Sequence, residues 1–240
     1  MRAFLVGLQF LTQVPIRLET PTERNIADSY YFYPVIGFLT GLGAVVLRHT
    51  GFAVFSPSFS IVLVLAYLVV ISGGLHEDGL ADAADGMGGG WTREDRLSIM
   101  KDSRIGTFGA LALVLALLAK YAALTSMNPA RLDAALLSAQ ILGRWAFLPM
   151  GYFNRYAHEG LAARFMKGLS AKAVASGTVL AIGGAIVLGG MRGAAAVIVT
   201  IVVAILMSVY FRRRIGGITG DCLGATFQFV EVATYAVFLS

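Results

Sequence analysis

Three aspartates, Asp78, Asp82 and Asp85, stand at i, i+4 and i+7 in the glycine-rich stretch Gly73 to Gly90, GGLHEDGLADAADGMGGG. On a helix this spacing puts the three carboxylates on one face. Like charges so placed repel, and the pattern calls for a positive partner. A hard divalent cation such as Mg2+ supplies one, because it is held by a few carboxylates together with substrate phosphates. The chemistry indicated is metal-assisted work on a phosphorylated ligand, and the flanking glycines leave room for close backbone approach. The other assignment is a solvated helix face whose opposite side, Leu75, Leu80, Ala83, Ala84 and Met87, packs on its neighbours. Three in-phase aspartates in a chain with so few charges favour the metal.

Further candidates lie in two other segments. Trp91 to Gly106 opens with Thr92 and Asp95 in capping-box spacing and ends with Lys101, Asp102 and Arg104 before an apolar run. Lys101 and Arg104 suit phosphate oxygens and Asp102 suits a metal; all three also fit charge at a membrane edge. Phe211 to Ala225 holds Arg212, Arg213 and Arg214, followed by Asp221 at the mouth of an apolar helix. Asp221 there is either an N-cap or a ligand. Glu231 sits roughly 14 Å farther along, at 1.5 Å per residue, with Arg144 and Lys120 as potential partners. An acid at that depth is a functional candidate by default. His76, beside Glu77 and Asp78, fits a ligand, a base or a structural role. Arg155 and Arg212 are further candidates for phosphate oxygens, and the unpaired Cys222 reads as a packing residue.

These residues need a scaffold, and composition names it. The 240 residues are 57% hydrophobic and 14% charged, with a mean hydropathy of +0.74. A soluble chain carries about 25% charged residues, so an all-α polytopic membrane bundle is expected, as a single domain over residues 1–240. Seven apolar stretches are long enough to span: Tyr30 to Leu47, Phe59 to Leu75, Thr107 to Leu124, Leu132 to Tyr152, Ala173 to Gly190, Ala194 to Phe211 and Cys222 to Leu239. Met1 to Pro15 reads as an interfacial helix and the aspartate segment as a cytoplasmic acidic helix.

With the N-terminus inside, the inner segments hold Arg2, Arg17, Arg24, Arg93, Arg96, Lys101, Arg104, Arg155, Arg164, Lys167, Lys172, Arg212, Arg213 and Arg214. The outer segments hold only Arg48, Arg131 and Arg192. This asymmetry follows the positive-inside rule, so the net charge of +5 reports topology and not a nucleic-acid partner. The carboxylates, Glu19 among them, gather on the same side, although the rule makes no demand on them. Gly37 and Gly41 read as a close helix contact.

The ordered motifs GLQFLTQVPI (Gly7 to Ile16), YYFYPVIGFLTG (Tyr30 to Gly41), GLHEDGLADAADGMGGG (Gly74 to Gly90), RLSIMKDSRIGTFG (Arg96 to Gly109) and GGITGDCLGATFQFVE (Gly216 to Glu231) resemble the cobalamin synthase family, the adenosylcobinamide-GDP ribazoletransferases, over nearly the whole chain. Gln13 stands where many relatives have a basic residue, and Glu77 where many have an apolar one. The resemblance implies that α-ribazole or its 5'-phosphate attacks the cobinamide-side phosphorus of adenosylcobinamide-GDP, giving adenosylcobalamin or its phosphate and GMP. It also implies a bacterial or archaeal inner membrane as the location, with the site facing the cytoplasm.

The chemistry is similar to that of the CDP-alcohol phosphotransferases. Asp82, Asp85 and Gly86 match the start of that motif, but Ile99, Ser103 and Thr107 stand where its second half calls for Gly, Asp and Asp. Under this reading Asp78, Asp82 and Asp85 hold one or two Mg2+ ions. Asp102 or Asp221 accepts the acceptor's proton, and Lys101, Arg104, Arg155 and Arg212 hold phosphate oxygens. The alternatives are a phospholipid-forming CDP-alcohol phosphotransferase and a secondary transporter. A homo-oligomer is left open.

Overall fold

A computed structural model describes the chain except for Arg17, Glu19 and the side chain of Leu161. Arg17 and Glu19, both counted on the inner side above, lie outside the described residues. The order is α1 (Arg2–Leu11), α2 (Glu23–Ser29), a 3-10 turn (Tyr30–Phe32), α3 (Tyr33–Val54), α4 (Pro57–Ile71) and α5 (Leu75–Gly89). Then come α6 (Arg93–Ile99), α7 (Thr107–Ser126), α8 (Pro129–Phe153), α9 (Leu161–Met166), α10 (Ala171–Ile215) and α11 (Gly220–Leu239). The all-α expectation holds. Local chemistry sets the helix starts: Ser56 and Asn128 cap α4 and α8 ahead of a proline in the first turn, and Thr92 and Asp95 form the expected capping box of α6.

The bundle is built around α8, which is buried without interruption from Ala135 to Leu148 and packs on α3, α10 and α11. Gly37 and Gly41 make the α3 contact. A Cβ on Gly37 would overlap the backbone of Gln140 and stand 2.8 Å from the Ile141 Cα, so only glycine lets these backbones approach so closely.

All seven expected stretches are helical, but the count of seven spans is not matched. Among the described residues four helical segments are long and apolar enough to cross a membrane: Glu23–Val54, Thr107–Ser126, Ala171–Ile215 and Gly220–Leu239. Counting the bent pair α4 and α5 as one span makes five. The differences have physical causes. The fourth stretch lies in α8, where Gln140 and Arg144 lower the hydropathy of a helix that other helices enclose. The fifth and sixth are the two arms of α10, which bends at Gly190, a glycine with φ of 56°. There Gly193 lies against the Ala185 carbonyl. The second stretch is the fifteen-residue α4, which continues into α5 only through a bend of 84° made by Gly73 and Gly74, both at positive φ.

That bend also positions the acidic helix: α5 packs between α11 and α7, which goes against the alternative of a solvated loop helix. Its Gly79 sits against the backbone of Asp221 and Gly224. The amphipathic α1 docks on α2 and α3, burying Val6 and Leu11.

Candidate active site

The close approach of α5 and α11 creates the site. A Cβ on Gly79 would stand 3.0 Å from the Asp221 Cα, so the two helices touch where both carry aspartates. Asp82 lies within electrostatic range of Asp78, Asp221 and Asp85, and Asp221 within range of Asp78. Thr219, and not Asp221, is the N-cap of α11. Asp221 sits in the first turn, half-buried, and its Oδ2 accepts a hydrogen bond of 3.1 Å from the Thr219 hydroxyl. An isolated bridge between Tyr156 and Ile218 ties the loop after α8 to this turn and brings in His158, within electrostatic range of Asp221.

Two cavities meet here. One, of about 240 Å³, is more enclosed and mainly apolar, and is lined by residues of α1, α5, α8, α9 and α11. Asp78, Asp221, His76, His158 and Tyr156 are its polar groups, with Tyr33 and Thr219. The other, of about 570 Å³, is open and more polar, with Gln13, Ser72, Asp78, Asp82 and Ser103 in its wall beside the Gly73 and Gly74 bend. Phe10, Leu75 and Asp78 belong to both.

The aspartates divide into two kinds. Asp85, buried, accepts hydrogen bonds from the backbone amides of Gly106 (2.7 Å) and Gly109 (2.8 Å). Both its oxygens are thus used at the N-terminus of α7, where the helix dipole favours a negative group. A Cβ at either glycine would overlap that carboxylate. Asp78 and Asp82 make no hydrogen bond or ion pair among the described residues, and Asp221 has only its threonine. These carboxylates are the right donor type for Mg2+, which needs only one or two of them when phosphates complete its shell. Among the described residues no three such groups are closed into a metal cluster.

Several candidates lie elsewhere. Asp102 forms an exposed fork with Arg104, with Nη2 to Oδ2 at 2.6 Å. That guanidinium pulls the Asp102 carboxyl down to about 2. Asp102 lines neither cavity. Lys101, Arg104, Arg155 and Arg212 are exposed and also lie outside both linings. Arg93 and Arg96, which the sequence offered only as topology, bond the Ile215, Ala157 and Arg214 carbonyls and clamp α6 to the end of α10.

Glu231 and Arg144 lie deeper, in a buried network. Lys120 Nζ meets Glu231 Oε2 at 2.6 Å. Gln140 and Tyr235 donate to Glu231 Oε1, each at 2.9 Å, and Arg144 donates to the Gln140 side chain at 2.7 Å. Glu77 joins through Gln228 (2.9 Å) and Lys120 (3.9 Å), which accounts for a carboxylate where many relatives have an apolar residue. The expected partners of Glu231 are therefore both present, Lys120 directly and Arg144 through Gln140, but neither cavity reaches them. Sequence reasoning missed His158 and Tyr156, which carry no motif signal, and Tyr33 and Phe10, which lie in quoted motifs but were not singled out; the four meet only through the fold.

The family model described as cobalamin-5-phosphate synthase matches residues 3–239. Among curated relatives, an adenosylcobinamide-GDP ribazoletransferase of Shewanella baltica is 36% identical over 244 residues, covering 98% of this chain and 93% of the relative. The enzyme of the same name from Shewanella piezotolerans is 35% identical over 250 residues, covering 100% and 95%. That from Shewanella frigidimarina is 33% identical over 247 residues, covering 100% and 95%. No solved structure matches the chain.

Two outcomes follow from the geometry. Lys120→Met strands the Glu231 carboxylate in the bundle, a loss of about 3–5 kcal/mol for a broken buried pair. The unfolding midpoint in detergent should fall by roughly 10 °C or more, and adding Glu231→Gln should recover part of it. Because Arg104 holds the Asp102 carboxyl down at about 2, Asp102→Asn should leave the acid limb of the pH–rate profile where it is.

Proposed function

The chain belongs to the cobalamin-5-phosphate synthase family, and from that premise we propose that it joins adenosylcobinamide-GDP to α-ribazole or its 5'-phosphate. The products are adenosylcobalamin or its 5'-phosphate and GMP. The observation that carries this reading is the pair of cavities of opposite character sharing Asp78. A reaction between a diphosphate donor and a nucleoside acceptor needs two such seats with the acidic residues between them.

The residues divide the work. Asp78 and Asp82 face the polar cavity, where the donor pyrophosphate would lie, and Asp221 faces the enclosed one. Together they would hold Mg2+, which when bound would screen the pyrophosphate and stabilise the leaving phosphate. The acceptor hydroxyl oxygen forms a new bond to the cobinamide-side phosphorus. The bond from that phosphorus to the bridging oxygen breaks, and its electron pair leaves with GMP. The acceptor's proton passes to a carboxylate oxygen that the metal would leave free, and Asp221, half-buried at the wall of the acceptor's cavity, is better placed for this than Asp102. Asp85 serves by fixing α5 to the start of α7. Apolar walls keep water from competing with the acceptor. By the positive-inside rule the basic residues Arg93, Arg96, Arg155 and Arg212 to Arg214 support a placement of this end of the bundle on the cytoplasmic face, in a bacterial or archaeal inner membrane.

The test is GMP release from adenosylcobinamide-GDP and α-ribazole by purified protein. Chelation should abolish it and added Mg2+ restore it. Asp82→Asn should lower turnover by roughly a hundredfold or more with an unchanged unfolding midpoint. Full activity in that variant, or indifference to chelator, would contradict the reading.

A further inference from the structure

The two cavities differ in size and wall chemistry, and this assigns the substrates to them. The enclosed one, at about 240 Å³, is smaller than the roughly 300–1,000 Å³ pockets that take drug-sized ligands. A corrinoid, several times larger than a nucleoside, has no room in it; a single bicyclic aromatic base with part of its sugar does. Its walls suit such a base. His76 lies in the lining and stacks on Phe227 with ring centroids 3.9 Å apart, while Phe147 stands 5.6 Å from the imidazole.

His76 is 2% exposed, yet neither of its ring nitrogens has a hydrogen-bond partner. The same is true of the Tyr156 hydroxyl, which also lines this cavity. Buried polar groups are almost always paired, and an unpaired one is destabilising. Two such side chains in one apolar chamber mark a place where a ligand supplies a partner.

Building on the reaction proposed above, we infer that this chamber seats the benzimidazole base of the ribazole acceptor. The base lies against the aromatic wall, and its unsubstituted ring nitrogen accepts one hydrogen bond, from the His76 imidazole or the Tyr156 hydroxyl. Its ribose is directed to Asp78 and Asp221 at the boundary with the open cavity. The corrinoid donor stays outside, with only its diphosphate entering the polar cavity. Phe10, common to both linings, separates base from diphosphate, and its stacking on Phe165 at 4.1 Å joins α1 to α9 over the chamber.

The test separates the two substrates. GMP release is measured while α-ribazole and adenosylcobinamide-GDP are varied in turn, for the unaltered protein, His76→Phe and Ala163→Leu. Equilibrium binding of radiolabelled α-ribazole is measured beside it. Ala163→Leu narrows the chamber from the short α9, so it tests the assignment even where His76→Phe does not fold. Both variants should raise the KM and the binding constant for α-ribazole roughly 10-fold, with the donor KM within about twofold. A raised donor KM with unchanged α-ribazole binding would overturn the assignment of the chamber while leaving the reaction intact. An unaltered protein that releases no GMP would remove the reaction itself.

Discussion

Charge inside an apolar bundle has to be met by opposite charge, by dipoles or by a ligand, and this protein meets it differently at three depths. At the deepest level Glu231 and Glu77 are met by Lys120, with Gln140, Gln228 and Tyr235 completing their hydrogen bonds. Asp85, also buried, is met by two amides of the α7 N-terminus. Shallowest are Asp78, Asp82 and Asp221, exposed or half-buried and within electrostatic range of one another; among the described residues none of them has an ion pair. The rest of the architecture follows from keeping that third group in place. The Lys120 network joins α7, α8 and α11 and reaches α5 through Glu77, the Asp85 amides pin the far end of α5, and Gly79 lets α5 and α11 touch at the height of the aspartates.

Much of this was legible in the sequence, and for identifiable reasons. The aspartate spacing predicted a shared helix face because helical periodicity is local. Likewise Thr92 and Asp95 announced their capping box and Gly37 its close contact. The depth of Glu231 and its partners followed from counting residues into an apolar run. What was not legible depended on glycine-controlled bends and on contacts between distant segments. Nothing local says that Gly73 and Gly74 turn α5 into the bundle, or that Gly190 bends one apolar run into two arms. Asp102 looked like part of the acidic cluster by proximity in sequence, but Arg104 two residues on occupies it. His158 and Tyr156 had no signal, because their place depends on a bridge to Ile218.

Chemically, the arrangement puts an apolar chamber and a polar cleft on either side of one carboxylate. That offers a physical reason for running a reaction between water-soluble partners inside a membrane protein. In the proposed seating the bundle would provide walls that exclude water from the acceptor side, and the cleft would leave a large donor outside while admitting its diphosphate. Residues assigned from sequence to phosphate binding, such as Lys101 and Arg212, are exposed and line neither cavity.

The central claim is that Asp221, more than a hundred residues from the aspartate ladder, belongs to the same metal-holding group as Asp78 and Asp82. Titration of purified protein with Mn2+, read by electron paramagnetic resonance in the presence of the diphosphate donor, tests this directly. The account predicts a bound-metal signal that weakens about as much in Asp221→Asn as in Asp82→Asn. Binding in Asp221→Asn equal to that of the unaltered protein would contradict it.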